Sequence, residues 1–331
     1  MAAQLGQGRS AGLDALRAAA CLAVVLFHSH SVAHVGFGPL DPLISGGDTG
    51  VWIFFALSGY LLYRPFLTRT VDLRSYGLKR AARILPGYYI ALVALFLMIG
   101  SRLPLEHPLA YLSITSSYDG PLRLFLGPAW TLSAEVLFYV TLPLIARLAA
   151  NREVKLLLIL AGLSMVGSVA YRYSATEANY WLVDAYPLVF FAFVPGMLVA
   201  VLEVRRPATF AELAKGRYLV MGLAYIAFGM LTSVYPIPLG AVLGTPLVIG
   251  WLLHHRVPGE RALVFAGGAS YALYLWNYDL LGAFGLPGLA IAFVGSALSW
   301  TLVERPVLEW AHRRAAAWRM PKLSESVVVA S

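Results

Sequence analysis

The chain has 331 residues, of which 59% are hydrophobic and only 13% are charged, and its mean hydropathy is +0.72. A soluble domain carries about 25% charged residues, so this composition excludes an ordinary soluble protein and predicts an integral membrane protein. The single cysteine, Cys21, excludes an intrachain disulfide framework. The net charge of +8 would suit a nucleic-acid partner only if the basic residues were not explained by membrane topology.

Apolar runs of membrane-spanning length recur along the whole chain. A bilayer core about 30 Å thick is crossed by roughly 20 apolar residues in a helix. The sequence therefore predicts an all-α polytopic membrane protein of about ten transmembrane helices, with a single domain over 1–331, a core near 11–310 and a tail over 311–331. The predicted spans lie near 12–31, 49–65, 84–100, 130–148, 156–173, 186–203, 218–234, 238–254, 263–282 and 286–303.

The basic residues indicate an orientation. If the N-terminus is cytoplasmic, 22 of the 25 lysines and arginines fall in segments on the cytoplasmic side, as membrane proteins prefer. An even number of spans places the C-terminus on that side as well. We therefore attribute the positive charge to topology and predict no nucleic-acid partner. The protein is expected in the plasma (inner) membrane, with membrane lipids around it.

The first predicted span, "LDALRAAACLAVVLFHSH" at 13–30, carries polar residues on one face. Eleven residues separate Arg17 from His28, which is three helical turns and about 16 Å, and Asp14 and Cys21 lie on the same side. Intramembrane charges cost about 2.5–3.5 kcal/mol and face a protein interior or a wet cavity. The stripe predicts a functional cavity. The alternatives are an Asp14–Arg17 pair reaching the membrane surface and a histidine that is simply hydrogen-bonded.

The second and third spans add two features. "GGDTGVWIFFALSGYLL" at 46–62 predicts a close helix contact at Ser58-Gly59, since small residues let membrane helices approach. "YGLKRAARILPGYY" at 76–89 places Arg80 and Arg83 three apart, so they neighbour each other on a helix surface. The pair predicts either an anchor at the inner membrane face or a clamp for phosphate groups.

The fourth span begins in "PAWTLSAEVLFYV" at 128–140, and its Glu135 is expected near the depth of His28. A carboxylate that orients a histidine is typical of a general base, although the two residues could equally pack apart. His30 and His34 have the four-residue spacing of a zinc pair, but the motif adds no carboxylate or cysteine, and we predict no metal.

Two later segments have simpler interpretations. "YALYLWNYDLL" at 271–281 is typical of an aromatic belt at a membrane surface. "VERPVLEWAHRRAAAWR" at 303–319 predicts an amphipathic helix lying on the inner surface.

In this order, the segments resemble the membrane-bound acyltransferase-3 family of integral-membrane O-acyltransferases. The resemblance covers about 11–310 and is carried by Arg17-x10-His28, "FFALSGYLL", Arg80-x-x-Arg83, "WTLSAEVLFY", "FFAFVPGMLVA", "SYALYLWN" and "VERP". The chain departs from the family at Trp52, where members commonly have an acidic residue, and at Asn277, where many have a histidine.

The resemblance implies an acyl-CoA donor, most often acetyl-CoA, and a hydroxyl-bearing glycan or glycoside acceptor. Arg17, Arg80 and Arg83 would bind the donor phosphates, and the pantetheine arm would follow the polar stripe. His28 would act as general base or carry the acyl group transiently, and Glu135 would orient it. Residues expected to contact substrate or support these groups are Asp14, Ser58, Trp130, Ser133, Tyr139 and Asn277.

Two other functions are compatible with the residues. A proton-coupled transporter or flippase would use Arg17, His28 and Glu135 as a relay. Against it, the sequence has no paired broken helices in matching halves. A membrane scaffold without activity is suggested by Asn277 alone.

Overall fold

The computed structural model describes residues 11–176, 179–232 and 238–318, and within them the chain is helical with no β-strand. The longer helices are α1 (Ala11–Ser31), α2 (Thr49–Thr68), α3 (Leu73–Ile99), α4 (Trp130–Ala149), α5 (Glu153–Ser174), α6 (Val194–Arg205), α7 (Gly216–Thr232), α8 (Leu239–His254), α9 (Glu260–Phe284), α10 (Leu286–Ser299) and α11 (Arg305–Ala317). Short helices lie at Asp41–Ile44, Leu103–Glu106, Pro108–Leu112, Tyr186–Val189 and Pro207–Ala211. Turns of 3-10 helix lie at Gly38–Leu40, Ser116–Tyr118, Leu122–Leu124, Gly127–Ala129, Tyr180–Asp184, Phe190–Ala192 and Glu212–Ala214.

Six helices in the described ranges are long and apolar enough to cross a membrane: α1, α2, α3, Gly127–Ala149, α5 and Leu286–Ala317. Tyr186–Ala192 and α6 would make a seventh, bent by 44°. The apolar helices α7 and α8 have only 17 and 16 residues, so at 1.5 Å per residue they reach about 24–26 Å, short of a bilayer core of about 30 Å. The helical membrane fold is thus confirmed, while the count of ten spans and the orientation stay predictions.

Glycines allow two central helix pairs to approach closely. A side-chain carbon at Gly196 of α6 would collide with the carbonyl oxygen of Ala56 on α2, and one at Gly59 would collide with the carbonyl oxygen of Phe193. On α9, a Cβ added at Gly267 would lie 2.7 Å from the Cβ of Asp14 on α1. Small residues therefore bring α2 against α6 and α1 against α9. The predicted contact at Gly59 is present.

The segment between α3 and α4 is irregular but closely bonded. The Tyr88 hydroxyl donates to the carbonyl of Tyr111 at 2.6 Å, and the Tyr111 hydroxyl donates to that of Leu122 at 2.7 Å. The backbone N–H of Leu126, a residue with a left-handed φ of 60°, donates to Asp279 Oδ1 at 2.9 Å. Asp279 on α9 thereby fixes the turn from which α4 begins.

The last helix differs from the sequence prediction. A π-helical turn at Trp300–Glu304 joins α10 to α11, giving a continuous helix of 32 residues over Leu286–Ala317, about 48 Å long. The predicted surface helix is therefore an extension of the final span, and it packs on α3, where the buried Ser75 hydroxyl lies 3.4 Å from the Ala315 carbonyl oxygen. Residues 1–10 and 319–331 of the predicted cytoplasmic ends lie outside the described residues.

Candidate active site

The polar stripe of α1 faces α9 over most of its length. The thiol of Cys21 donates to the Ser270 carbonyl oxygen at 3.3 Å, and His28 bonds to Asn277. These two contacts have the same offset of 249 residues and lie seven residues apart, so they repeat after about two turns of two parallel helices. At Cys21 and His28 the stripe is thus a contact between two helices.

The N-terminal end of the stripe forms an ion pair. Arg17 Nη1 donates to Asp14 Oδ1 at 3.0 Å, with Asp14 only 1% exposed and Arg17 18% exposed. The Asp14–Arg17 pair, which the sequence offered as an alternative interpretation, is therefore present. Asp14 supports Arg17 from within the bundle, and the Arg17 side chain also lines a cavity.

At the other end of the stripe, the hydrogen bonds define the tautomer of His28. The Nδ2 of Asn277 donates to the carbonyls of Leu273 and Tyr274 at 2.9 and 2.8 Å. These bonds orient the amide so that Oδ1, which can only accept, lies 2.6 Å from His28 Nδ1. His28 Nδ1 then donates to this oxygen, and in the neutral imidazole Nε2 keeps its lone pair. The Tyr278 ring packs edge-on to the imidazole at 5.1 Å.

Three arginines converge on a cavity of about 100 Å³ inside the bundle, which we call the arginine cavity. It is lined by Arg17, Val51, Phe54, Phe55, Ser58, Leu61, Leu62, Arg80, Arg83, Ile84, Thr131, Leu132, Glu135, Tyr139, Ser270, Tyr271 and Tyr274. Arg17, Ser58, Arg80, Arg83, Glu135 and Tyr139, six of the residues singled out from the sequence, therefore share one site. Three cations and one carboxylate line it, so its walls favour an anion.

The guanidinium groups of α3 are held by aromatic rings. Arg80 lies over the Tyr139 ring at 5.7 Å, and Arg83 lies over the rings of Tyr271 and Trp300 at 5.5 and 5.8 Å. The Nε of Arg80 is buried with no hydrogen-bond partner among the described residues. Because buried donors are normally paired, this N–H is available to an oxygen of a bound ligand.

Glu135 occupies a different place from the one predicted. Its Oε1 accepts from the Ser58 hydroxyl at 2.7 Å, and its side chain lines the arginine cavity. Among the described residues, the hydrogen-bond partner of the His28 ring is Asn277. The predicted Glu135–His28 pair is therefore replaced by two pairs, Ser58–Glu135 and Asn277–His28. The predicted similarity in depth therefore did not bring Glu135 and His28 into contact.

His28 does not line the arginine cavity within the described residues. Tyr274 is the last residue of α9 on the cavity wall, and Asn277 follows it by three residues, about 4.5 Å along the helix. The Tyr274 ring lies 6.0 Å from that of Phe54, which also lines the cavity. One helical turn on α9 thus separates the cavity from the residue that holds the imidazole.

Ser133 and Trp130 support the scaffold. The Ser133 hydroxyl donates to the Ile114 carbonyl at 2.6 Å and is buried, away from the cavity lining. Trp130 packs between Arg123, at 5.5 Å, and Trp52, at 6.3 Å. Trp52 also stacks on Phe191 at 5.9 Å, so the position where family members commonly have an acidic residue is here part of an aromatic core.

Sequence reasoning missed several residues of the site. Tyr271 and Tyr274 lie in the segment interpreted as an aromatic belt, yet both line the cavity. Glu304, from the "VERP" segment, lies outside the cavity lining but is also buried, with 1% exposed, and its Oε1 accepts from the Ser299 hydroxyl at 2.7 Å. The available signal was the three- and four-residue spacing of Tyr271, Tyr274 and Asn277, which places them on one face of a helix.

Comparison with known proteins identifies one matching family and several similar proteins. A family described as "Acyltransferase domain" matches residues 10–303. The exopolysaccharide production protein ExoZ of Rhizobium meliloti (strain 1021) is 29% identical, over 83% of this chain and 92% of the relative. The putative membrane-bound transacylase BcsY of Komagataeibacter xylinus is 28% identical, over 95% and 86%. An O-acetyl transferase of Shigella phage Sf6 is 25% identical, over 89% and 95%. No solved structure matches.

Proposed function

Because the chain belongs to the acyltransferase family that matches residues 10–303, we propose that it transfers an acyl group, most simply acetyl, from acyl-CoA to a hydroxyl of a sugar or glycosylated acceptor. That the protein is a membrane acyltransferase follows from the family and its relatives. The donor, the acceptor and the residue roles are our proposal. The observation that carries it is the convergence of Arg17, Arg80 and Arg83 on one cavity, with the Arg80 Nε buried and unbonded.

The arginine cavity suits a thin, negatively charged donor. Typical ligand pockets measure about 300–1,000 Å³, so a cavity of about 100 Å³ is too small for a nucleotide and fits a slender chain. In this proposal the CoA phosphates lie at the mouth, against Arg80 and Arg83, because guanidinium forks match phosphate oxygens. The pantetheine arm then enters past Glu135, whose bond to Ser58 keeps this carboxylate in a fixed position on the wall.

His28 is assigned the role of general base. Its Nε2 accepts the proton of the acceptor hydroxyl while the hydroxyl oxygen bonds to the thioester carbonyl carbon. The carbon–sulfur bond then breaks, and the proton passes to the departing CoA sulfur. The products are an ester and free CoA, with His28 neutral again. The Nδ1–H tautomer defined by Asn277 supports this assignment, because it leaves Nε2 basic.

The acyl group must move from the arginine cavity to His28, past Phe54 and Tyr274. We propose that these two rings separate as the donor enters. The distribution of basic residues supports a cytoplasmic mouth and a plasma-membrane location. The names of the relatives, with exopolysaccharide production in one and O-acetyl transfer in another, support a glycan acceptor.

The test supplies isotopically labelled acetyl-CoA to membranes containing the protein and examines envelope glycans and secreted glycosides by mass spectrometry, with and without the protein. We expect label in an ester on a glycan or glycoside hydroxyl only when the protein is present. Identical spectra would contradict the proposal. Movement of an unmodified glycoside across proteoliposomes would instead favour the transporter alternative.

A further inference from the structure

A second, larger cavity lies between α5, α6 and α8. It measures about 1230 Å³, and we call it the apolar groove. Its long walls consist of aliphatic, aromatic, glycine and proline residues, among them Leu158, Met165, Leu202 and Leu247. The arginine cavity shares none of these residues. The groove is therefore a separate site, and its proposed ligand does not depend on the transferase mechanism.

All polar residues of the groove lining lie at one end. Asn151, Glu153, Arg205 and Arg206 are grouped where α5 begins and α6 ends. Arg205 donates to Glu153 through Nη2 at 2.8 Å and Nε at 3.1 Å, so these two charges compensate each other. Arg206 is exposed, and its side chain has no hydrogen bond or ion pair among the described residues. One positive charge thus remains at this end.

The length of the groove matches one leaflet of a bilayer. Along α5 the lining runs from Glu153 to Met165, which is twelve residues and about 18 Å. Half of a hydrocarbon core about 30 Å thick is about 15 Å. A chain with its polar group at Arg206 would therefore reach from the membrane surface to near the bilayer centre.

The groove is also open along this path. A Cβ added at Gly162, which lies on the α5 wall, would meet no atom within 4 Å. Pro195 on α6 and Pro246 on α8 contribute short, rigid surfaces to the facing walls. A hydrocarbon chain can therefore lie against the helices without displacing side chains.

From the unpaired cation, the apolar walls and the one-leaflet length, we propose that the apolar groove binds an anionic phospholipid of the leaflet in which Arg206 lies. One acyl chain fills the groove, and the phosphate accepts hydrogen bonds from the Arg206 guanidinium. Basic pockets between membrane helices bind anionic headgroups in this way. A zwitterionic lipid brings a phosphate too, but its own cation competes with Arg206.

The experiment uses the full chain purified in detergent, exposed to equal amounts of phosphatidylglycerol and phosphatidylcholine, with retained lipid counted by native mass spectrometry. We expect phosphatidylglycerol to be retained about fivefold better, the ratio that corresponds to about 1 kcal/mol for one arginine near a membrane surface. Equal retention of the two lipids by the wild-type protein would overturn the proposal.

Two pairs of variants identify the site. Arg206→Ala should abolish the preference, while Arg261→Ala, an exposed arginine outside the groove lining, should retain it. Gly162→Trp should fill the groove and reduce retention of both lipids, while Gly162→Ala should leave it unchanged. An unaltered preference in Arg206→Ala, or unaltered retention in a folded Gly162→Trp, would contradict the assignment. Arg206 is exposed, so its variant stays informative even if Gly162→Trp does not fold.

Discussion

The two ends of the proposed reaction path differ in how fully their polar atoms are bonded. In the arginine cavity, the Nε of Arg80 has no hydrogen-bond partner among the described residues, and Arg83 rests on aromatic rings. At the other end, His28 is bonded to Asn277, whose amide is itself held by two backbone carbonyls. One end has donors free for a ligand, and the other has an imidazole already oriented by the protein.

From this difference we expect the arginine cavity to contribute to donor binding and the His28 end to contribute to the chemical step. Free guanidinium donors gain bonds when an anion arrives, so they contribute to donor affinity. A preoriented base contributes mainly when the proton moves, so it contributes to turnover. Variants at the two ends should therefore change different kinetic constants, and four substitutions test this expectation.

The largest effect is expected at His28. His28→Ala removes the proposed base and should lower kcat for acetyl transfer by about 10²–10⁴, with little change in the KM for acetyl-CoA. Rates of label transfer in membranes at several donor concentrations provide the measurement. His30→Ala, near the end of the same helix, is the matched control and should keep near wild-type turnover. Wild-type kcat in a folded His28→Ala protein would rule out the base.

Asn277 should have the next largest effect. Asn277→Leu removes the acceptor for the Nδ1 proton and should lower kcat roughly ten- to hundredfold, equivalent to the about 1–3 kcal/mol cost of an unpaired buried group. Asn277→Asp keeps an acceptor oxygen at this position and should retain more activity. If the two variants have equal kcat, the hydrogen bond to His28 does not orient the base.

Arg83 should affect the donor instead. Arg83→Ala should raise the KM for acetyl-CoA about tenfold, the equivalent of one charge-assisted hydrogen bond, with kcat nearly unchanged. Arg74→Ala, exposed on the same helix, is the control and should leave both constants unchanged. An unchanged KM in Arg83→Ala would contradict the phosphate clamp and favour the alternative in which this arginine anchors the helix at the membrane face.

The smallest effect is expected at Ser58. Ser58→Ala removes one hydrogen bond to Glu135, worth about 0.5–1.5 kcal/mol, and should raise the KM for acetyl-CoA about two- to tenfold without changing the His28 end. Ser133 is a buried serine whose hydroxyl bonds away from the cavity, so Ser133→Ala is the control: it tests whether loss of any buried serine hydroxyl raises the KM. A fall in kcat larger than that of Asn277→Leu would place Ser58 and Glu135 nearer the chemistry than proposed.

The sequence identified those site residues whose side chains cost free energy to place inside a membrane. Arg17, Arg80, Arg83 and Glu135 are expensive in a membrane, and the structure brings all four to one cavity. The partner of His28 was not predictable in the same way. Helix rise gives an approximate depth for Glu135. Which side chains meet, however, depends on how the helices pack beside one another, through contacts such as Gly267 against Asp14, and one sequence does not reveal these contacts.

The same distinction holds for the fold. Long apolar runs predicted α1, α2, α4 and α5 close to their observed positions, because length and hydropathy are local properties, whereas α3 begins at Leu73, eleven residues before the predicted start at 84. The continuous helix through Trp300–Glu304 was not anticipated, because the charged "VERP" segment has the composition of a surface helix. The packing of its last part on α3 is a tertiary contact, seen at Ser75 and Ala315. The resemblance to the acyltransferase family was confirmed over residues 10–303.

The separation of binding from chemistry is tested most directly by acetyl transfer from labelled acetyl-CoA, followed across donor concentration in wild type, His28→Ala and Arg83→Ala prepared in parallel. The account predicts that Arg83→Ala recovers wild-type transfer at saturating donor, while His28→Ala stays at least about 10²-fold slower at every concentration. Recovery of His28→Ala at high donor concentration, together with a loss in Arg83→Ala that no donor concentration restores, would contradict it.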